Sequence, residues 1–469
     1  NEDGIYVGFK NFQDPLTMQS RKAMRDEMTS LSEKNSINID FDGDGQKAFI
    51  IAVTLGDSLF DAIKIQSGAF KKDWDGDWIA KTKKYDTYWV SEFYLPWNLT
   101  LMKNVEGGKR KINYTALRYR ANEKSWTSSA GTMAMRTNYF ENLDSLEIDN
   151  YTKSKLNFFP YLAANNNTVT DLEESNIGAE LFYNSGKGSQ INMTLNPDFG
   201  QVESDDVIVS FDAIETFYED KRPFFTENQD LFQIRGRTSF LINTRRIGAR
   251  PDYNCSSEID ESSCNLQRKT YSEIDLALRY TQTEADDEFG IFSAFERDGR
   301  YYKGRNFQSI RYRKSLDDLR IGYLLTYVDR PTITRSAQVH TMDFDYSFDE
   351  SSRFSGTLSY SNIDSDSTTT EGVALRGRVA RNFTEKFSAL WGFGIYDEGY
   401  EMNDMGYLDM RNFAETGITA VYKETNFSES SLIRSLTLDL NSGHQRSISG
   451  INGGAMAWIS LKPVSYTHL

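Results

Sequence analysis

Three aspartates, Asp40, Asp42 and Asp44, alternate in the stretch "NIDFDGDGQKAFII" and are followed by Gly45. Carboxylates at every second position before a glycine open a calcium-binding EF-hand loop, whose twelfth residue is a bidentate Glu and whose flanks are helices. Counted from Asp40, that position holds Ile51, and both flanks, "INI" and "AFIIAV", are β-type, so the EF-hand reading fails. A hairpin turn, with Asp and Gly at positive-φ positions, is the structural reading. A structural calcium held by Asp40, Asp42 or Asp44 with loop carbonyls is the alternative.

A second constellation lies in "KKDWDGDWIAK", where Trp74 and Trp78 stand among Asp73, Asp75 and Asp77, with Trp126 further along. Aromatic faces stack on the apolar face of a pyranose while acidic groups hold its hydroxyls, so these residues are candidates for carbohydrate binding. Core packing is the competing reading, and for Trp89 the preferred one. Glu92, on the same strand, is expected to be buried and paired with Arg118 or Arg120.

The segment "EDKRPFFTENQDLF" crowds charges, Arg222 and Glu227 among them, around Pro223, Phe224 and Phe225. Such density suits a plug or brace inside a polar barrel lumen, with Arg245 and Arg246 of "NTRRIG" as partners; a gate contacting substrate is the functional alternative. Cys255 and Cys264 are the only cysteines and lie in a polar loop, and the chain has three histidines. A disulfide formed in an oxidising compartment therefore fits better than a zinc site. His340, His444 and His468 form no ligand constellation. No nucleophile elbow, metalloprotease or phosphate-loop motif is present, and no carboxylate pair stands out for glycoside cleavage. The chain is read as a non-enzyme with no cofactor beyond that calcium.

These residues need a scaffold, and the composition narrows it. The 469 residues carry a net charge of −15, which argues against nucleic-acid partners. Aromatics make up 13% of the chain and Pro only 8 residues, the profile of a β-rich fold instead of an acidic disordered one. No apolar run reaches the roughly 18 residues of a helical span, but transmembrane strands give too weak a hydropathy signal to be judged that way.

Residues 1–135 read as short strands of a β-sandwich, with one helical patch over Gln19–Leu31. Residues 136–176 read as a linker and entry segment, and 177–463 as longer alternating strands with a plug-like stretch at about 198–250. In this second half Met342, Phe344, Tyr346 and Phe348 oppose Asp343 and Asp345, while Val373, Leu375 and Val379 oppose Arg376 and Arg378. Tight connections near 315–318, 349–352 and 382–386 alternate with longer ones near 330–337, 362–372, 397–412 and 441–454. Outer-membrane barrels sort their loops by side in this way. Tyr323, Tyr327, Tyr360 and Tyr396 suit an interfacial girdle. The count is about thirteen such strands, where bacterial barrels close with even numbers. The chain opens within a strand, and residues 464–469, "VSYTHL", read as a sequencing artefact, so a fragment cut at both ends is expected.

Two blocks carry family resemblances. The first half, through "YVGFKNFQDP", "RDEM", "INIDFDGDGQKAFIIAV" and "YWVSEFYLPW", resembles family-nine-type carbohydrate-binding modules. The second, through "NPDFGQVESD", "EDKRPFFTENQDLF" and "RRIG", resembles an uncharacterised bacterial outer-membrane barrel family that carries such a module. Together they imply an all-β protein, an N-terminal β-sandwich followed by an incomplete antiparallel transmembrane β-barrel. The barrel's partner would be outer-membrane lipid, with the sandwich in the periplasm or at the cell surface. The implied role is capture or passage of a glycan or other envelope ligand. The rivals are an outer-membrane structural or assembly factor without sugar binding, and a secreted glycoside hydrolase with a binding module.

Overall fold

The fold comes from a computed structural model that describes residues 1–465 except 28–30, 66–69, 73, 106, 135–138, 168–171, 198–217, 219, 227–230, 235, 237–238, 258–260, 350, 385, 425–426 and 428–432. Asp73 and Glu227 thus lie outside the described residues. The chain forms two compact units. One is Asn1–Asn157 with Phe182–Gln190 and Gln282–Ala285; the other is Phe158–Leu181, Ile191–Thr281 and Asp286–Leu469.

The first unit holds β1 (Gly4–Phe12), β2 (Lys34–Asp40), β3 (Lys47–Thr54), β4 (Leu59–Ile65), β5 (Phe70–Lys71), β6 (Ile79–Lys84), β7 (Tyr88–Pro96), β8 (Lys109–Arg120), β9 (Ser125–Ser128) and β10 (Asp144–Asp149). They make two sheets, ordered β1-β7-β6 and β10-β8-β2-β3-β4-β5, with β9 on the flank of β8. Ile37, Ile39, Phe49, Ile51, Val53 and Ile63 of the larger sheet meet Ala80, Phe93 and Leu95 of the smaller. Each large side chain buried here contributes about 1.5–3 kcal/mol. Because β2 and β3 are central and covered on both faces, they read as continuous buried runs. Two expectations change. β10 lies inside the stretch read as linker yet pairs with β8 from Asp144↔Tyr114 to Asp149↔Lys109. The described part of Gln19–Leu31 holds no helix; Gln19 and Leu55 instead exchange backbone bonds with Glu33.

The second unit is built on a fourteen-stranded antiparallel sheet. Its strands are β11 (Lys155–Asn167), β12 (Leu172–Asn184), β13 (Ser189–Leu195), β15 (Ile274–Glu284), β16 (Asp287–Glu296), β17 (Asn306–Leu316), β18 (Leu319–Arg330), β19 (Arg335–Asp349), β20 (Ser352–Ser365), β21 (Thr368–Asn382), β22 (Phe387–Tyr396), β24 (Phe413–Glu424), β25 (Ile433–Ser447) and β26 (Asn452–Ser465). A separate pair joins β14 (Ser239–Phe240) to β23 (Tyr407–Leu408). The order runs from β11 to β26 without closing into a ring. The count is fourteen instead of thirteen, and β11 begins inside the expected linker.

Connections sort by end of the sheet. On one end β15 passes to β16 through Ala285 and Asp286, and β17 to β18 through Asp317 and Asp318, with Ala285 and Asp317 at positive φ. On the other end lie Arg297–Arg305, the long return Asp397–Asn412 and the described part of the insertion between β13 and β15. Three connections expected to be long are short, because the strands run further; β18 and β19 pair as far as Arg330↔Arg335. β20 and β21 pair as far as Ser365↔Thr368, and β25 and β26 as far as Arg446↔Asn452.

The two faces of this sheet reverse the usual polarity. On the outer face Met342, Leu358, Val373, Trp391 and Ile418 are 45–52% exposed, whereas inward Ser309, Arg311, Thr341 and Ser361 are at most 1% exposed. What covers the inner face is the insertion and the long return. Phe224, Phe225, Leu231, Phe232, Leu241 and Ile247 of the insertion, with Tyr400, Met402 and Met405 of the return, pack on inward Phe292, Phe307, Leu324 and Val339. Tyr396 joins this cluster at 6% exposure and stacks on Phe413, so it does not serve an aromatic girdle.

Cys255 and Cys264 form a disulfide within the insertion, with Cα atoms 5.6 Å apart, and both are buried. Closing so short a loop contributes about 2–3 kcal/mol in the chain-entropy account. A thiol assay on denatured, unreduced protein should find no reactive group; two per chain would refute the bridge.

Candidate functional site

The Asp40 turn shows what its carboxylates are for. Asp40 Oδ1 accepts the backbone N–H of Asp42 (3.2 Å) and Gly43 (2.9 Å), and Oδ2 that of Gly45 (2.8 Å). Asp42 accepts from Lys103 N (2.8 Å) and from Arg110 Nη1 (3.2 Å), both partners of that ion pair being almost fully buried. Asp44 pairs with Lys103 Nζ at 2.9 Å. The three carboxylates are thus turned to N–H donors and cations, and a cation ligand set needs those same lone pairs. The described residues hold no group of three or more His, Cys, Asp or Glu placed to bind a metal. Asp40, Asp42 and Asp44 thus make a hydrogen-bonded turn that closes the β2–β3 hairpin. Burial, reinforced by Asp44, pushes the Asp40 carboxyl up to about 7, and burial raises that of Asp42.

Gly43 has φ +64°, and a Cβ there would stand 2.7 Å from the Lys111 carbonyl oxygen. Gly43→Ala should therefore lower the stability of the sandwich by about 1–3 kcal/mol in denaturant titration. Added calcium should leave the melting temperature of either protein unchanged.

The tryptophans also lie against neighbouring rings. Trp78 is 5% exposed and stacks on Phe93 at 6.2 Å, so its face is not open to a sugar. Trp74 is half-buried and sets an edge against Phe49 at 4.8 Å. Trp126 lies against Tyr119 at 5.0 Å, with the Lys34 ammonium over both rings. Asp77 is exposed and pairs with Lys155 at 2.8 Å, while Asp75 pairs with Arg25. The physical reason is that the loop between β5 and β6 closes the end of the sandwich, where large rings fill space. Glu92 is exposed, not buried. Arg118 bonds Gln13 and the Phe12 carbonyl, and Arg120 pairs with Glu123.

Another buried carboxylate of this unit is Asp61, on β4 and, like Asp40 and Glu33, fully enclosed. Its Oδ2 accepts Trp78 Nε1 at 2.6 Å, Arg25 Nη2 at 2.9 Å and Gly76 N at 3.1 Å. Sequence reasoning missed it. The available signal is a lone Asp inside the apolar strand "LFDAI", together with the Arg of "RDEM". Burial pushes the Asp61 carboxyl up to about 6 from its ordinary 3.8. Between those values the folded chain holds a proton that the unfolded chain has lost, so this contribution is full below the unfolded value and lost as pH rises to about 6. Asp61→Asn should flatten the fall in sandwich stability between pH 4 and pH 6, leaving the part due to Asp40. Denaturant titrations across that window decide it, and an unchanged slope refutes the assignment.

In the insertion, Arg222 is held by Asp220, at 2.9 Å from Nε and 2.6 Å from Nη2, and lies over the Phe225 ring. It also donates to the carbonyls of Thr244 (2.7 Å) and Ile247 (2.8 Å). The "RRIG" stretch therefore meets Arg222 through its backbone. Arg245 lies 5.9 Å from the Tyr218 ring, and Arg246 donates to the Gly406 carbonyl of the long return at 3.3 Å. These contacts tie the insertion to itself and to the return.

The wall of the sheet carries charges in register. One inward row holds Glu288, Arg313, Gly322, Asp343, Thr357, Arg376, Gly394 and Glu415. The next holds Arg320, Asp345, Ser355, Arg378, Gly392, Gly417 and Gly443. Arg313 pairs with Glu288 and Arg353 with Asp345. Arg311 donates to the Leu231 carbonyl of the insertion at 3.0 Å and reaches across β18 to pair with Asp343. A Cβ at Gly322 would stand 2.4 Å from the Asp343 carboxylate and 2.6 Å from the Arg311 guanidinium, so only glycine leaves this path open. Alternation placed Asp343, Asp345, Arg376 and Arg378 on one face. Which partners Asp343 and Asp345 take needed the register.

Comparison with known proteins adds a family. The model of a domain of unknown function, DUF5916, matches residues 152–282 and 318–455. No curated protein matches the chain. Among solved structures, the chain is similar at 10% identity to an anion-selective porin from Comamonas acidovorans, with a TM-score of 0.30 and 92% of each chain covered. It is similar at 9% identity to Pseudomonas aeruginosa OccD3 (OpdP), with a TM-score of 0.29, covering 92% of this chain and 90% of that one. A Rhodopseudomonas blastica porin triple mutant shares 10% identity, with a TM-score of 0.25, over 97% and 98% of the two chains. The family match spans more than half of the sequence and falls on the fourteen-stranded unit, and the chain belongs to the DUF5916 family.

Proposed function

We propose that this chain is an outer-membrane β-barrel protein whose inner face, partly filled by its own insertion, captures or passes a polar envelope ligand such as a glycan. The observation that carries the reading is the reversed polarity of the large sheet. A wall that leaves Met342, Leu358, Val373, Trp391 and Ile418 exposed while enclosing Arg311, Thr341 and Ser361 is stable where the outer solvent is hydrocarbon. In water the same wall would display a broad apolar surface, which soluble monomers avoid. The sorting of connections by end supports the same reading, since turns on one side of such a barrel stay short. A polar inner face lined by hydroxyls and ion pairs suits a hydroxyl-rich or charged ligand. The sandwich supports sugar capture less, because Trp78 is enclosed and Trp74 packs on Phe49.

A folded barrel keeps its structure in cold detergent and migrates differently once boiled. The purified chain should show this heat-dependent shift. Leu358→Arg, which puts a charge on the outer face, should lower assembly into lipid vesicles by about 2–4 kcal/mol if it lies near mid-membrane. A chain that is soluble and monomeric without detergent, with no heat shift, would overturn the reading.

A further inference from the structure

The second inward row is unevenly charged. Asp345 is gripped by Arg353 and lies 3.7 Å from Arg320, so one carboxylate serves two guanidiniums. Arg378 stands on the same row, separated from Asp345 by Ser355 alone, roughly 10 Å away by strand spacing. Among the described residues it makes no ion pair or hydrogen bond, and it is exposed. Arg320, Arg353 and Arg378 thus gather around Asp345, with Glu288 the other carboxylate acting on Arg320, in a chain whose net charge is −15. Arg376, one position further along the same face of β21, adds to this positive end.

Beside Arg378 the row continues as Gly392, Gly417 and Gly443, three inward positions without side chains. None of them has a positive φ. A Cβ at Gly392 would meet nothing nearer than the Gly377 carbonyl oxygen at 3.8 Å, and one at Gly443 nothing nearer than 3.8 Å. Backbone geometry therefore does not require glycine at these two positions, and glycine within a strand weakens it. What the glycines provide is open space next to an unpaired guanidinium. At Gly322, by contrast, glycine makes room for an ion pair already formed.

We propose that Arg378, with Arg320 and Arg353 beside the glycine floor, is an anion-binding step on the inner face, taking a solute that bears phosphate or carboxylate groups. Planar guanidinium forks bind such oxyanions bidentately, and a site fed by two further arginines favours more than one negative charge. The inference deepens the membrane reading and rests on it, since it treats this face as solvent-accessible lumen.

Calorimetry of the detergent-folded full chain with inorganic pyrophosphate at low salt tests it. Arg378→Gln should weaken binding about tenfold or more, with partial recovery in Arg378→Lys. Gly392→Leu should weaken it by filling the space without changing charge. Lys303→Gln, at an exposed lysine paired with Asp298 outside the row, should leave it unchanged, and wild-type affinity should fall with salt. No binding by wild type, equal binding by Arg378→Gln, or equal loss in Lys303→Gln overturns the anion site. The heat shift, measured on the same sample, judges the membrane reading separately. Binding without a shift keeps the site and removes the barrel, and a shift without binding does the reverse.

Discussion

The large sheet depends on Arg311 reaching over Gly322 to Asp343 while it also holds the Leu231 carbonyl of the insertion. A guanidinium this enclosed is stable only with an opposite charge and hydrogen bonds to its remaining donors. Three adjacent strands and the insertion supply them together. That contact ties β17 to β19 across β18 and holds the insertion on the wall. Register matters here because a slip of one residue would turn every inward charge toward the outer face.

The rest of the inner face follows from this constraint. Polar wall residues cannot make a core by themselves, so the insertion brings its own phenylalanines and leucines to cover the upper rows. Arg222 holds the insertion together from within by joining Asp220 to the carbonyls of Thr244 and Ile247. The long return closes over it through β14 and β23, and through Asp404, which Arg330 and Arg335 share at 2.8 and 2.7 Å. Below this cover, toward the tight turns, charge is left over, with Asp345 divided between two arginines and Arg378 unpaired among the described residues.

The sandwich uses charge differently. Its buried carboxylates, Asp40 and Asp61, are spent on backbone amides, an indole and one arginine, so they position a hairpin and a loop. Strand ends and turns are where a small sandwich must satisfy its orphan N–H groups, and the Asp40 turn does so with carboxylates. Asp75 and Asp77 stay at the surface in simple ion pairs, and Trp78 turns inward with its N–H donated to Asp61.

Much was legible in the sequence by itself. Strand periodicity determined an all-β chain with a change of grammar between its halves, because a period of two is a local property. Within each strand it set Met342 and Phe344 opposite Asp343 and Asp345, and Val373 and Leu375 opposite Arg376 and Arg378. It rejected the EF-hand at Ile51. Tertiary structure alone decided which charges meet, since Arg311 and Asp343 lie two strands apart and their pairing depends on register. It alone decided that Trp78 is core, that β10 and β11 form inside an apparent linker, and that Asp61 is enclosed. Pairing and burial are set by residues distant in the chain, and no local spacing encodes them.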